Sequence, residues 1–301
     1  MRIFVTGGTG FIGRRLVPAL LGRGHQVVAL VRTYERAREL PRGVRAVAGD
    51  VTKPESYRAR LVGCDAVLHA ASASGVAPAR RERERLERIN VGGSRSLREA
   101  ALAAGVRRYV HLSAPGVYGV DRAEPVREGE PPDPARAVTF AAATRAQAHL
   151  AAMEAQGAGA AVIIVVPGAP YDPAAPQPAD PEHVLWRGER LWVLSGRSSR
   201  RAWVAVDRLA AGLCDVIERG TVGAIYHLPG AVRPLHALNG AHVPTRIWLP
   251  LPLARVLARL WRDVWPGRAE RWRALAGGDQ ALDCARARAD LGWDPGTTGK
   301  V

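Results

Sequence analysis

Three glycines near the amino terminus have the spacing of a turn that binds phosphate groups. Gly7, Gly10 and Gly13 follow a short apolar run and precede a segment of helical periodicity. In such a turn the first glycine permits a tight bend, the second lets the backbone approach a pyrophosphate, and the third lets helix and strand pack closely. The amino terminus of the helix adds unpaired N–H groups and the positive end of a dipole.

The alternative to a phosphate-binding turn is a structural turn without a ligand. The residues predicted to contact a dinucleotide here are Thr6, Gly7, Gly10, Phe11, Ile12 and Gly13.

The end of the second apolar run predicts which dinucleotide binds. An acidic residue there would hold the ribose 2′-hydroxyl and repel a 2′-phosphate. The sequence has Arg32 at this point, and the first carboxylate is that of Glu35. Arg32 can pair with a 2′-phosphate through charge-assisted hydrogen bonds, with Arg14 and Arg36 as further candidates. We therefore expect NADP(H) rather than NAD(H); the alternative is that Arg32 is one surface arginine among many.

The elements that would position this turn are strands and helices in alternation. The apolar runs are continuous, which is typical of parallel strands buried on both faces. Helical segments lie between them, the longest at 79–104 and 135–156. This order predicts an α/β fold with a Rossmann-type doubly wound parallel sheet, whose carboxyl-terminal edge carries the ligand. The predicted strands are 1–6, 26–31, 44–48, 66–70, 107–112 and 161–166.

The chain is expected to divide after residue 166. Residues 167–181 are rich in proline, alanine and glycine, which predicts a loop where the chain first leaves the nucleotide domain. From residue 235 onward the chain is predicted to be helical and tryptophan-rich. We expect 1–166 to form the NAD(P)-binding Rossmann domain and 167–301 to form mainly a small, mostly helical substrate lobe, with segments near 203–228 returning to the Rossmann domain. The returning elements are a predicted helix at 203–218 and a predicted strand at 224–228.

The net charge of +15 is high, but its distribution does not indicate a nucleic-acid partner. Only Lys53 and Lys300 are lysines, and the densest basic cluster, residues 80–85, alternates in sign as a solvated helix face does. No apolar run is long enough to span a bilayer, and no signal-like segment precedes the first strand. We expect a cytoplasmic protein that acts on a small-molecule substrate, with no nucleic acid and no membrane span.

The three cysteines, Cys64, Cys214 and Cys284, lie far apart in the chain. An odd number without metal-ligand spacing argues against a disulfide framework and against a zinc site. We expect no bound metal.

Residues 248–265 carry apolar side chains at near-helical spacing with arginines between them. This pattern favours an amphipathic helix that belongs to the substrate lobe or forms a homodimer contact. A membrane-surface helix is the less favoured alternative.

Seven segments occur in an order that is typical of one protein family. They are 6–13, 49–51, 65–71, 90–94, 110–119, 206–207 and 291–295. Together they resemble the extended short-chain dehydrogenase/reductase family, also called the NAD-dependent epimerase/dehydratase family. The resemblance implies contacts from the 49–51 segment to adenine, and it implies that the 65–71 strand runs past the cofactor. The further cofactor-binding residues implied are Asp50, Val51, His69, Ala70, Ala71, Asn90 and Arg145.

The resemblance also implies that the positions of the family's catalytic residues carry different residues in this sequence. The family uses Tyr-x-x-x-Lys on the long helix after the fifth strand; the tyrosine exchanges the proton, and the lysine orients the nicotinamide ribose. Alignment of this helix puts Arg145 at the lysine position and Ala141 at the tyrosine position. Counted back from Tyr118, the family's serine or threonine falls on Ala114. Ser113 is one residue earlier, and neighbours at a strand end point to opposite sides, which argues against it as a substitute.

Several groups remain that could supply a proton or hold the substrate. Tyr118, Ser113 and Arg145 are the catalytic candidates: Tyr118 lies at the mouth of the fifth strand, and Arg145 could hold the ribose hydroxyls. Each has a structural alternative, such as packing of Tyr118 within its loop. The other candidates are His111, Thr139, Thr144 and Tyr171; the alternatives are a core position for His111 and a helix cap for Thr139.

Two functions fit this pattern. The first, which we favour, is an atypical NADP(H)-dependent oxidoreductase or an isomerase or epimerase acting on a small carbonyl or sugar-like substrate. Hydride transfer needs chiefly a positioned nicotinamide, and a substituted acid or water can supply the proton. The second is a non-catalytic NADP(H)-binding sensor or partner subunit, which the replaced triad favours.

Overall fold

The computed structural model describes residues 1–75, 79–120, 122–174, 200–234 and 280–296, three short strands between these ranges, and Val256. The strands are β1 (Arg2–Thr6), β2 (Gln26–Val31), β3 (Arg45–Ala48), β4 (Ala66–His69), β5 (Arg108–Leu112), β6 (Val162–Pro167), β7 (Ala169–Tyr171), β8 (Leu185–Arg187), β9 (Arg190–Val193), β10 (Arg200–Ala205), β11 (Ile225–Leu228), β12 (Val232–Pro234) and β13 (Arg246–Trp248). The helices are α1 (Gly13–Gly22), α2 (Tyr34–Ala37), α3 (Arg58–Leu61), α4 (Arg80–Leu86), α5 (Ser94–Ala103), α6 (Phe140–Gly157), α7 (Val206–Arg219) and α8 (Ala285–Leu291).

Seven parallel strands form the central sheet, in the order β11-β6-β5-β4-β1-β2-β3. The order reverses between β1 and β4, which is where Rossmann-type folds bind dinucleotides. The predicted Rossmann-type doubly wound fold is confirmed. The predicted strand at 224–228 also joins this sheet, because β11 pairs with β6.

Helices cover both faces of the sheet and divide the core into two layers. On one face, Leu16 of α1 and Leu213 of α7 are fully buried against Leu68 of β4. On the other face, Leu97 of α5 packs with Phe4 and other fully buried side chains. The strands are therefore apolar on both sides, which explains their continuous apolar runs.

The long helix predicted at 79–104 is interrupted without being broken. A π-helical segment, Glu87–Gly93, joins α4 to α5, and the residues at both of its ends keep right-handed helical dihedrals. Such single-turn π segments are frequent at functional sites. This one carries Asn90, which is buried and faces α6.

Two predictions for the later part of the chain are wrong in detail. Residues 200–205, of which 203–205 were expected to be helical, form strand β10, because they pair with β12 on one side and with β7 on the other. α7 accordingly begins only at Val206. The backbone of Arg246–Trp248, within the region expected to be helical, forms a strand parallel to β9. Most of the predicted 248–265 helix lies outside the described residues.

The long helix α6 begins at Phe140, five residues later than expected. Thr139 ends the preceding loop in an extended conformation, and its Oγ1 accepts a hydrogen bond from Ala142 N at 3.1 Å. This is the geometry of an N-cap, which satisfies one of the free N–H groups of the first turn. The residues before it form a separate 3₁₀ turn, Pro134–Arg136. The cap therefore decides where the helix starts.

Candidate functional site

The glycine turn lies between β1 and α1 and depends on two of its glycines for steric reasons. Gly7 has a φ of 76°, and a Cβ there would lie 2.7 Å from the carbonyl carbon of Ala70. A Cβ on Gly13 would overlap the carbonyl oxygen of Gly7. By contrast, a Cβ on Gly10 would meet only the Gly7 oxygen, at 3.1 Å. The outer side of the turn is therefore open, where a pyrophosphate would approach.

A buried hydrogen-bonded chain holds the turn against the end of β4. Thr6 Oγ1 accepts from Ala71 N at 3.2 Å and lies 2.7 Å from His69 Nδ1. His69 Nε2 lies 2.8 Å from Ser94 Oγ. Burial, with a smaller effect of Arg98, lowers the pKa of His69 to about 4, so the ring is neutral near pH 7. His69 is thus part of the wall of the site, and Ala70 is the neighbour that faces the cleft.

The residues beyond β2 provide positive charge beside the turn. Arg32 is exposed and forms no hydrogen bond or ion pair with the described residues. Arg14 and Arg36 are both held by Glu39, at 2.7 and 2.9 Å. Arg36 Nη2 also donates to Thr9 Oγ1 at 3.3 Å. One arginine is therefore free for an anionic ligand, and two others are held close to the glycine turn.

Asp50, expected near adenine, has a carboxylate fixed by local hydrogen bonds. Its Oδ1 accepts from the Thr52 backbone N and from Thr52 Oγ1, both at 2.8 Å. Burial raises the pKa of Asp50, but these hydrogen bonds and the charges of Lys53 and Arg32 outweigh it, so the pKa lies below the usual value. The neighbouring Val51 is buried.

A cleft of about 220 Å³ opens at the carboxyl-terminal edge of the sheet. Ile12 of the turn, Ala70 after β4, Ser113 after β5 and Pro167 of β6 line it, together with the start of α6. None of its described lining residues carries a carboxylate. The polar lining residues are Ser72, Ser74, Ser113, Thr139, Arg145, Arg201 and Gln280.

The two alanines that the sequence resemblance predicted at the family's catalytic positions occupy different surroundings. Ala114 lines the cleft and adds no hydroxyl to it. Ala141 is fully buried in an apolar cluster with Ala73 and does not line the cleft. The neighbouring Ala142 lines the cleft, and its Cβ lies near Gly116.

Arg145 lies in the cleft wall, at the position that was expected to hold the nicotinamide ribose. Its Nη2 donates to Ala73 O at 3.3 Å, and its buried Nε has no acceptor among the described residues. Asn90 fixes the same segment: its Oδ1 accepts from Ala73 N at 2.7 Å, and its Nδ2 donates to Ala73 O and to Thr144 Oγ1. The segment after β4 is thus tied to α6, and one guanidinium N–H of Arg145 remains without an acceptor among the described residues.

Tyr118 lies behind the cleft and does not line it. The side chain is 2% exposed, and its hydroxyl lies 3.1 Å from His227 Nε2. His227 Nδ1 lies 2.8 Å from the carbonyl oxygen of Asp283, which can only accept, so Nδ1 carries the proton and the Tyr118 hydroxyl donates to Nε2. Burial raises the pKa of Tyr118, and the carboxylates of Glu130 and Glu128 raise it further. The structure therefore commits the Tyr118 proton to His227 and keeps it from a substrate.

Ser113 does reach the cleft, contrary to the argument from strand alternation. β5 ends at Leu112, so Ser113 and Ala114 lie in the turn that follows, and both line the cleft. Ser113 Oγ lies 3.0 Å from Nδ1 of His149, a fully buried residue of α6. His149 follows Arg145 by one helical turn, and this i,i+4 spacing is the only signal in the sequence that could have indicated it.

Arg201 and Gln280 close the cleft on the other side and had no local signal in the sequence. Gln280 Nε2 donates to the carbonyl oxygens of Pro115 and Gly119, at 2.6 and 2.7 Å. These bonds join residues about 160 positions apart, which only the folded chain brings together.

Other expectations concern groups outside the cleft. The three cysteines are free and buried. No group of three or more His, Cys, Asp or Glu side chains in the described ranges could hold a metal ion. Within the same ranges, no helix is long and apolar enough to cross a membrane.

Known proteins resemble this chain over most of its length. The model of the NAD dependent epimerase/dehydratase family matches residues 3–228. A protein of Stigmatella aurantiaca, named 4-hydroxy-2-methyl-3-oxo-4-farnesyl-3,4-dihydroquinoline-1-oxide ketoreductase, is 31% identical over 97% of this chain and 92% of its own length. A putative dihydroflavonol 4-reductase of Synechocystis is 28% identical over 96% of this chain and 89% of its own length. Relatives of this kind are enzymes, which confirms the preference for an enzyme.

Solved structures share the fold. The dTDP-glucose 4,6-dehydratase of Streptomyces venezuelae, solved with NAD, has a TM-score of 0.76 and 24% identity, over 99% of this chain and 93% of that chain. The UDP-glucose 4-epimerase of Thermus thermophilus, also solved with NAD, has a TM-score of 0.73 and 23% identity, over 99% of this chain and 96% of that chain. At this level of identity the likeness concerns the fold.

Proposed function

The chain belongs to the NAD-dependent epimerase/dehydratase family, and on that premise we propose that it is an NADP(H)-dependent reductase of a small carbonyl compound. The observation that carries the proposal is the cleft itself, which joins Ile12 of the glycine turn to Ser113 and Arg145. The ketoreductase of Stigmatella aurantiaca, similar over nearly the whole chain, supports a ketone as the reacting group.

The residues present fit a dinucleotide. The open outer side of Gly10 leaves room for a pyrophosphate over residues 10–12, and Thr6 and Gly7 hold the turn that presents it. Arg145, with its buried and unpartnered Nε, is placed to hold the hydroxyls of the nicotinamide ribose. The other residues proposed to surround the cofactor are Phe11, Gly13, Asp50, Val51, His69, Ala70, Ala71 and Asn90.

We assign the preference for NADP(H) to Arg32. It follows the second strand directly, is exposed and has no partner among the described side chains, so a 2′-phosphate meets a free guanidinium. A carboxylate at this point would instead favour the 2′-hydroxyl of NAD(H). The nearby arginines held by Glu39 add to the local positive charge.

NADPH, when bound in this cleft, would supply the hydride for reduction of a substrate carbonyl. The protein's part is to hold the reactants together, to exclude excess water and to stabilise the charge that develops on the carbonyl oxygen. The apolar lining from Ile12, Leu112 and Val138 provides the first two effects. Ala114 and Ala141 offer no hydroxyl for a proton, so we assign the final proton to water in the cleft.

A steady-state assay tests the proposal. Purified protein is mixed with NADPH and a panel of cyclic and aryl ketones, aldehydes and nucleotide sugars, and loss of the reduced nicotinamide absorbance is followed together with alcohol formation. We expect ketone-dependent oxidation of NADPH with one alcohol formed per NADPH. Conversion of a nucleotide sugar without net NADPH loss would instead favour an epimerase. Tight NADPH binding with no turnover of any compound would favour the non-catalytic sensor.

A matched pair of variants checks that the activity belongs to this cleft. Arg145→Met should weaken NADPH binding and turnover, because it removes the guanidinium that faces the ribose. Arg80→Met is the control: Arg80 is 92% exposed and pairs only with Glu84 on the surface of α4. Equal activity of the two variants would contradict the assigned role of Arg145.

A further inference from the structure

The Ser113 hydroxyl is the polar group closest to the end of β5 in the cleft, and it is almost enclosed. Its side chain lines the cleft, although the residue is only 8% exposed. Its one hydrogen-bond partner among the described residues is Nδ1 of His149, at 3.0 Å. His149 lies on α6, between the cleft and the edge of the Tyr118 ring, with ring centroids 5.9 Å apart.

The surroundings of His149 decide which ring nitrogen carries the proton. Burial lowers the pKa of His149 to about 3, with smaller contributions from His111 and His227, so the ring is neutral near pH 7 and carries one N–H. Its Nε2 is buried and has no partner in the described part of the chain. Either tautomer leaves Nε2 without a partner, as an unpaired donor or as an unpaired acceptor. Orphaned buried backbone N–H groups are rarer in proteins than under-satisfied acceptors, and on this ground we assign the proton to Nδ1, where it donates to Ser113 Oγ.

This tautomer determines the direction of the Ser113 hydroxyl. Because Oγ accepts from His149, the hydroxyl hydrogen is free to find another acceptor. Ser113 has no other hydrogen-bond partner among the described residues, and it is one of the residues that line the cleft. The hydroxyl hydrogen is therefore available to an acceptor in the cleft.

We propose that His149 is a positioning residue, which orients the Ser113 hydroxyl to donate a hydrogen bond to the carbonyl oxygen of the substrate. The proposal rests on the reductase function proposed above. In this proposal Ser113 supplies the hydroxyl that Ala114 lacks. His149 has a role in the reaction, although it does not contact the substrate.

The atoms of the reaction balance without a proton from either side chain. The hydride from NADPH forms the new C–H bond, and the π electron pair of the carbonyl moves onto the oxygen. The Ser113 hydrogen bond stabilises that developing charge, as donors of an oxyanion site do. The oxygen then takes a proton from water. Ser113 and His149 keep their protons, because a neutral His149 that gave up its only N–H proton would be left as a buried imidazolate.

Three single variants and one double variant test the proposal in the ketone assay. Ser113→Ala should lower kcat about 10²–10³-fold, the usual effect of losing one donor to a developing oxyanion. His149→Leu fills a similar volume without a donor and should lower kcat by at least ~10-fold with little change in KM, because the hydroxyl loses its orientation. His149→Asn keeps an N–H close to the place of Nδ1–H and should retain most of the activity.

The double variant separates positioning from damage to the fold. Adding His149→Leu to Ser113→Ala should cause no further loss, since the histidine acts only through the serine. Equal loss in His149→Asn and His149→Leu, or a further large loss in the double variant, would overturn the proposal. So would a ¹⁵N NMR spectrum of labelled histidine that shows the His149 proton on Nε2.

The outcomes also distinguish this proposal from the function on which it rests. If the wild-type protein reduces no carbonyl compound, the proposed function fails, and the role of His149 fails with it. If the wild-type protein reduces ketones and Ser113→Ala does so equally well, the reductase stands and only the role of Ser113 and His149 is wrong. Binding of NADPH, measured in every variant, should stay unchanged.

Discussion

The two ends of the cleft are built on the same sheet, but they keep the family pattern to different degrees. At the cofactor end, Gly7 and Gly13 stand where backbone atoms leave no room for a Cβ. At the catalytic end, the resemblance to the family predicts that Ala114 and Ala141 stand where other members carry a hydroxyl on each residue. The cofactor end depends on close backbone packing, which a side chain at either glycine would disrupt. The catalytic end depends on a hydroxyl group, which a neighbouring residue such as Ser113 can supply.

Cofactor binding and turnover therefore depend on different features of this fold. A close backbone turn has few alternatives, because only glycine has no Cβ. A hydrogen-bond donor to a carbonyl oxygen can come from any residue within reach. Four predictions test whether the two ends of the cleft differ in this way, in order of decreasing expected effect.

Acid should destabilise the fold, because four buried histidines at the two ends of the cleft are neutral near pH 7. Burial lowers the pKa of His111 and His149 to about 3 and that of His69 and His227 to about 4. The unfolded chain, with histidine pKa values near 6.5, binds more protons below that pH, so the free energy of unfolding falls as pH drops from about 6.5 towards 4. Each histidine contributes up to ~1.4 kcal/mol per pH unit, so the four together contribute up to about 6 kcal/mol per unit.

Urea unfolding at pH 7, 6 and 5 measures this slope. His149→Asn should reduce it by about one histidine's share, since one buried titrating group is removed. His149 and His227 contact Ser113 and Tyr118, His69 supports the glycine turn, and His111 packs against His69. A stability that does not change between pH 7 and pH 5 would contradict the buried, neutral state of these rings.

Gly13→Ala should abolish useful cofactor binding. Its Cβ would overlap the Gly7 carbonyl oxygen and the Gly8 backbone, which cannot move without opening the turn. We expect a loss of about 3 kcal/mol of stability or more and a fall in NADPH affinity beyond ~100-fold, which is ~2.7 kcal/mol. Calorimetric titration and thermal unfolding measure the two effects.

Gly22→Ala is the matched control, at the other end of the same helix. A Cβ there meets no atom within 4 Å, and alanine favours helix over glycine by ~1 kcal/mol. This variant should bind NADPH normally and be slightly more stable. If both variants bound NADPH equally well, the steric account of the turn would be wrong.

Arg32→Ala should lower the affinity for NADPH and leave that for NADH almost unchanged. A hydrogen bond to a charged group contributes about 1.5–3 kcal/mol, which corresponds to roughly a tenfold to hundredfold preference. Arg38→Ala, at the exposed end of α2, is the control. Equal affinity of the wild-type protein for NADPH and NADH, measured by calorimetry, would refute the assignment.

Glu39→Gln should have the smallest effect and the opposite sign. Glu39 pairs with both Arg14 and Arg36, and its removal frees two guanidinium groups beside the turn. Because these pairs are partly exposed, each is worth at most ~1 kcal/mol. We expect a few-fold gain in NADPH affinity that disappears at high salt. A loss of affinity would show that Glu39 holds the arginines in the binding position.

Local sequence patterns were enough to predict the architecture of the nucleotide half. β2 spans the predicted residues 26–31, and the helical region predicted at 79–104 is continuous apart from its π-helical segment. These predictions succeeded because hydrophobic periodicity is a local property, and a sheet buried on both faces gives long apolar runs. The glycine turn was visible for the same reason, since its residues are neighbours in the chain.

The side chains that meet at the catalytic end come from distant parts of the chain. Ser113 and His149 are 36 positions apart, and Tyr118 and His227 are 109 apart. The local pattern favoured Tyr118 over Ser113, yet the fold commits the Tyr118 proton to His227 and opens Ser113 to the cleft. Likewise, residues 203–205 form part of a strand because they pair with β7, while residues 200–202 pair with β12. Hydrogen-bond partners, burial and the direction of a hydroxyl depend on packing between distant segments, and spacing along the chain does not encode them.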